Sequence, residues 1–155
     1  MIILRVIRGI HEHFPARASE WALALMLFNL GLVLAMPQET MMESASLSGL
    51  ARIASEEVWA GALLLIGIVR LLALIINGTF AHAKYGRWSP HVRAFLALVS
   101  CFFWMQIAVG LTLSPTIATG IGIYPVLLAL DMYNTARASG DAALIDRARH
   151  DDRDR

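Results

Sequence analysis

"LLLIGIVRLLALIINGTF", residues Leu63 to Phe80, places one arginine, Arg70, inside an otherwise apolar run. A hydrocarbon core of about 30 Å needs roughly 20 helical residues, and the run is apolar from Val58 to Ile76. A charge near the centre of a span costs about 2.5 to 3.5 kcal/mol on insertion scales, while each Leu, Ile or Val beside it returns about 0.3 to 0.6 kcal/mol. The helix therefore inserts in spite of Arg70. What the guanidinium does once inside is a separate question.

The rest of the chain belongs to the same class. It is 57% hydrophobic and only 16% charged, where soluble domains carry about a quarter charged residues. In 155 residues there is space for a few spans with short connections, and one domain. Three further apolar runs cover Trp21 to Met36, Ala94 to Leu113 and Thr116 to Leu130. The third of the four runs spans unaided. The first must reach back to Pro15 or Ala18, and the fourth must continue past Asp131 to Thr135. The expected architecture is all-α: a four-transmembrane-helix bundle over 15–138, with spans near 17–36, 58–77, 92–113 and 116–135. An N-terminal amphipathic interfacial helix precedes it at 1–14, and a charged tail follows at 139–155.

Local signals mark the boundaries. "RWSPH" offers Ser89 as an N-cap with Pro90 in the first turn, where a missing N–H costs nothing, and "FPARASEW" starts a helix at Pro15 in the same way. "LSPT", with Pro115, allows only a tight turn, so the third and fourth spans are antiparallel neighbours. In "MIILRVIRGIHEHF", Ile2, Ile3, Val6, Ile7, Ile10 and Phe14 share one helical face, the pattern of a helix lying on a membrane surface. Leu47, Leu50, Ala51 and Ala54 share a face before the second span and read as a short interfacial helix. For both segments the alternative is packing against neighbouring spans or a partner. The end of "SGDAALIDRARHDDRDR" has little to bury after Ile145 and reads as mobile or transiently helical. The first run has a long leader and no small-x-small cleavage site after it, so the N-terminus is expected to stay in the mature protein.

Lys and Arg set orientation. They fall at Arg5, Arg8 and Arg17, at Lys84, Arg87 and Arg93, and at Arg137, Arg147, Arg149, Arg153 and Arg155. The first connection has Arg52 alone among Glu39, Glu43, Glu56 and Glu57, and the third has no basic residue. Four spans with both termini in the cytoplasm satisfy all of these segments. Trp21, Trp88 and Tyr133 then fall near the cytoplasmic boundary and Trp59 near the outer one, as interface anchors do.

That threading puts Arg70 about 4 to 5 Å to the cytoplasmic side of its helix midpoint, and Asp131 roughly 8 Å to the same side of its own. A side chain about 6 Å long covers the difference, so an Arg70–Asp131 pair is the leading reading. Snorkelling to headgroups and a conduction or ligand role stay open. Asn29, Ser100, Gln106 and Thr119 lie within the other spans and read as interhelical polar contacts. Ala97 with Cys101, and Ala118 with Gly122, have the small-xxx-small spacing of close helix packing, and Pro125 is expected to bend the fourth helix.

Catalytic chemistry is missing from the sequence. His11, His13, His82, His91 and His150 have no metal-site spacing, and the single cysteine, Cys101, cannot build a multi-cysteine site. No G-x-S-x-G, glycine-rich phosphate loop or paired intramembrane carboxylate occurs. No enzymatic activity, cofactor or metal is expected. The basic residues are accounted for by topology, so nucleic acid is not an expected partner. The expected partners are the lipid bilayer and either further copies of the chain or another membrane protein.

At "INGTF", "SPHVRAFLALVSCFFW" and "IGIYPVLLALDMYN" the chain resembles small, functionally uncharacterised membrane proteins encoded by phages and prophages of proteobacteria. The resemblance extends from "HEHFPARASEW" to "YNTARAS". It implies a bacterial inner-membrane location and brings no catalytic residues. The leading function class is a phage-type membrane effector, holin-like or an exclusion factor; the alternative is a membrane-embedded scaffold or accessory subunit, and a small channel or transporter comes third.

Overall fold

The apolar runs form helices in the computed structural model. In chain order these are α1 (Ile2–Leu34), α2 (Thr40–Glu43), α3 (Ser48–Ala51), α4 (Glu56–Thr79), α5 (Ser89–Thr112) and α6 (Gly120–Arg153). The structure describes residues 2–37, 40–44, 47–79, 88–113 and 119–153, with the side chains of 2–13, 77–79 and 149–153 outside the description. Among the described residues the fold is all-α. Three segments are long and apolar enough to cross a bilayer: Phe14–Leu34, Glu56–Ile76 and Ser89–Thr112. The fourth expected span differs. Its described apolar stretch gives way to Asp131, Asn134 and Arg137, so composition alone does not count it as a fourth.

Several boundaries depart from the sequence reading. The helix does not begin at Pro15; α1 runs through it from Ile2 and breaks at Arg17, where φ is −130° and ψ is 21°. The break falls two residues past Pro15, whereas a proline's missing N–H and crowding ring act on the turn before it. The expected amphipathic face of 1–14 rests on side chains outside the described residues. At α5 the cap position is Trp88, with helical angles, and Ser89 is already inside the helix and buried. The helix α6 continues through Pro125 and the expected tail to Arg153. Its extension is covered: Ala138 and Ala142 are buried, and Asp141 and Asp146 meet side chains of α5.

The long helices alternate in direction. On α1 and α4, Gly31 lies against Leu64 while Gly67 lies against Phe28, so one index rises as the other falls. On α5 and α6, Leu111 meets Gly120 and His91 meets Asp146. Each of these pairs is an intimate antiparallel hairpin. The hairpins meet where Trp59 of α4 stands edge-on to Phe103 of α5, with centroids 5.6 Å apart and planes at 82°, and where Ser19 of α1 meets Asn134 of α6. Around the bundle the order is α1, α4, α5, α6. Helices α4 and α6 are therefore diagonal to each other, as are α1 and α5.

One apolar core joins the hairpins, through Leu23, Leu27, Leu63, Phe103, Trp104 and Ile107. The two short helices close one end of it. Met41 and Leu50 are buried in that core, with Leu47, Ala51 and Ala54 packed against it. The face expected to lie on lipid thus lies on protein. Trp59 is 6% exposed, and its indole N–H donates to the Leu50 carbonyl at 3.0 Å. It anchors the cap, not a membrane interface. The Met41 N–H donates to the Glu56 carboxylate at 3.2 Å, tying α2 to the start of α4.

Close approach of α1 and α4 requires glycine at two points. A Cβ at Gly31 would stand 2.7 Å from the Leu64 nitrogen, and one at Gly67 would stand 2.8 Å from Phe28 Cα. Backbone cannot rotate away as a side chain can. Gly67→Ala is expected to cost about 1–3 kcal/mol and to lower the melting temperature in detergent, followed by tryptophan fluorescence. Gly61→Ala, where a Cβ would meet nothing within 4 Å, should leave that temperature unchanged.

Candidate functional site

The charged residues inside the bundle gather in two layers along its axis. In the first, Arg70 of α4 reaches across the diagonal to Asp131 of α6. Its two terminal nitrogens donate to the two carboxylate oxygens at 2.8 Å and 2.7 Å, the parallel fork that matches a guanidinium to a carboxylate. The Trp104 indole N–H of α5 donates to Asp131 Oδ2 at 2.9 Å. Arg70 is 4% exposed and Asp131 fully buried. Asp131 thus accepts three hydrogen bonds, and its charge is compensated where water is absent.

The second layer crosses the other diagonal. Arg93 of α5 donates to both carboxylate oxygens of Glu20 on α1, at 2.8 Å and 2.5 Å, and a third bond of 3.4 Å runs to Asp141 of α6. Arg93 and Glu20 are each 4% exposed. Between the layers, the Ser19 hydroxyl donates to the Asn134 amide oxygen at 2.8 Å. Asn134 is fully buried, and among the described residues its amide nitrogen has no partner. At the same end Arg137 of α6 donates to the Ala16 carbonyl of α1.

These contacts follow one rule. The diagonal bond in each layer joins the α1–α4 hairpin to the α5–α6 hairpin, and a second bond from within the α5–α6 hairpin orients one partner: Trp104 holds Asp131, and Asp141 holds Arg93. A buried pair is costly to break, because removing one partner strands the other's charge. Both carboxylates of the diagonal pairs are engaged by guanidinium. The arrangement can couple two helical units.

Arg70 and Asp131, expected at similar depth, are brought together. The other expected contacts fare differently. Ser100 is buried but donates to Leu96 O of its own helix, at 2.8 Å, because a hydroxyl one turn on already has that carbonyl in reach. Asn29 is exposed and lines a groove between α1 and α6, so it does not bond across helices of one chain. Gln106 lines a smaller groove beside α3, and Thr119 stands exposed at the start of α6. Ala97 is buried, and Cys101 lies 3.9 Å from the Thr135 hydroxyl. Gly122 is exposed, and a Cβ there would meet nothing within 4 Å; its outward position removes it from intrachain packing. Pro125 is likewise exposed, and Ala118 lies outside the described residues. Sequence reasoning missed Glu20, Arg93, Asn134 and Trp104. Asn134 follows Asp131 by three residues on one helical face, which was the available signal.

Among the described residues no three His, Cys, Asp or Glu side chains gather as metal ligands. No protein family, curated protein or solved structure matches the chain.

Removing one partner of the first layer leaves a buried charge. Arg70→Leu and Asp131→Leu are each expected to destabilise by about 3–5 kcal/mol, and the double change by much less than their sum. Thermal unfolding of all four proteins in detergent measures the coupling; additive losses would mean the pair contributes nothing of its own.

Proposed function

We propose that the chain is a four-span integral protein of a bacterial inner membrane, with both termini cytoplasmic, serving as a non-enzymatic scaffold or accessory subunit. The fourth span in this reading is the first half of α6. It packs antiparallel along α5, and a helix lying beside a spanning helix shares its solvent. Its only acid within the apolar half, Asp131, is neutralised by Arg70. The exposed faces elsewhere are apolar, including Leu65, Ile68 and Leu72 of α4 and Phe95, Leu98 and Phe102 of α5, as lipid requires.

One observation carries the scaffold reading. Beyond the Ala16–Arg137 contact, α1 runs back to Ile2 and α6 on to Arg153, so both helices continue at the end where the charged layers lie, α6 flanked on one side by α5 as far as Asp146. At about 1.5 Å per residue, each adds about 20 Å of helix. The outer face of the α6 continuation is open to a partner beyond the headgroups, while the paired interior supports no charged path through a single bundle. The exposed Leu144 and Arg147 stand on the α6 extension.

A second reading, the phage-type effector, draws support from the seam between hairpins. Within each hairpin packing is intimate, and the core between them is interrupted by the two diagonal ion pairs. A bundle able to part along that seam would open lesions. Controlled expression in cells carrying a membrane-potential dye distinguishes the two. The scaffold reading expects an intact potential and a partner that co-purifies with the wild type and is lost with Leu144→Glu/Arg147→Glu. Rapid depolarisation with growth arrest would favour the effector instead.

A further inference from the structure

The lipid-facing stripes of α4 and α5 need no partner, since hydrocarbon satisfies Leu65 and Ile68 or Phe95 and Phe102 as they stand. The stripe on α1 is different. Ala22, Leu25, Asn29 and Leu32 are all exposed, at successive spacings of three and four, with exposed Met36 just past the helix end. Periodic exposure is what any outer helix shows. The anomaly is an amide at the centre of the stripe, five residues inside Leu34, or about 8 Å of helix. Among the described residues the Asn29 side chain has no hydrogen-bond partner. It faces a lateral groove of about 460 Å³ between α1 and α6, whose walls include Met26, Val33, Leu127 and the Tyr124 side chain. Hydrocarbon offers an amide neither a donor nor an acceptor, and an unsatisfied polar group there is costly.

We propose that this face of α1 is a homodimer interface, on which a second copy of the chain seats its own α1, with the two Asn29 amides hydrogen-bonded to each other. Three features select that occupant. A primary amide carries both donor and acceptor, so it is complementary to itself, and a two-fold axis sets identical residues opposite each other. Copies inserted with one topology bring their α1 helices together in parallel, the geometry for which a three-four spacing is a packing seam. A single asparagine within such a seam fixes register and the number of strands. Ala22, small, lets the backbones approach at one end of the seam, and Met26 and Val33 flank it on the groove side. The inference rests on α1 crossing the membrane, as proposed above.

Cross-linking in native membranes tests it. In full-length chain carrying Cys101→Ser, Leu25→Cys, Asn29→Cys and Leu32→Cys are each expected to yield disulfide-linked dimers under copper-phenanthroline, whereas Leu65→Cys and Phe95→Cys are not. In detergent, Asn29→Leu should raise the dimer dissociation constant about 3- to 20-fold, and Asn29→Gln, which keeps the amide, should recover most of the loss. Cross-links absent from α1, or equal on α4 and α5, overturn the interface, as does an unchanged constant for Asn29→Leu. Phospholipid retained by a monomer and lost on Tyr124→Phe would assign the groove to lipid and also overturn it. A chain extracted by alkaline carbonate refutes the spanning reading and the dimer together; one that resists extraction yet gives no cross-link refutes the dimer alone.

Discussion

A guanidinium and a carboxylate withdrawn from water are tolerable only in each other's company, and the bundle is arranged around that constraint. Its two diagonal pairs fix which helices face which. Arg70 can meet Asp131 only if α4 and α6 stand opposite, and Glu20 can meet Arg93 only if α1 and α5 do. Together the two crossings specify the cyclic order of the helices, which nondirectional apolar packing would leave degenerate. The directional bonds choose the arrangement, and the leucines and aromatics around them supply most of the burial.

The orienting groups matter as much as the pairs. Asp131 accepts a third bond from Trp104, an aromatic otherwise buried in the apolar core. Its ring packs on Tyr124 at 6.1 Å. One side chain thus belongs to the oily interior and to the charged layer at once, and helix α5 has a stake in a contact between its two neighbours. In the second layer Asp141 does the same for Arg93, from a more exposed position.

Depth was readable from sequence because a helix advances a constant distance per residue, and that sufficed to set Arg70 and Asp131 level. Azimuth was not readable. Glu20 and Arg93 stand near the ends of apolar runs, where charges ordinarily meet water, and only the packing of α6 past the start of α5 covers them. The same gap explains the glycines. Spacing singled out Gly122, which faces outward, while Gly67, a point of real contact, has no small residue four positions away on its helix. For Leu47, Leu50, Ala51 and Ala54 the periodicity identified the correct buried face but not its neighbour, since a core and a lipid surface make the same demand on an apolar stripe. The helical continuation of α6 was hidden for a related reason. Ala138 and Ala142 bury little area, and their value comes from the helix beside them.

Both diagonal contacts close over long stretches of chain, 61 residues from Arg70 to Asp131 and 73 from Glu20 to Arg93. During synthesis at about 5–20 residues per second, the segment bearing Arg70 emerges about 3–12 s before its acid. Through that interval the guanidinium lacks the carboxylate that neutralises it in the finished bundle. The pairing therefore waits on α6, whose arrival neutralises a charge left by α4.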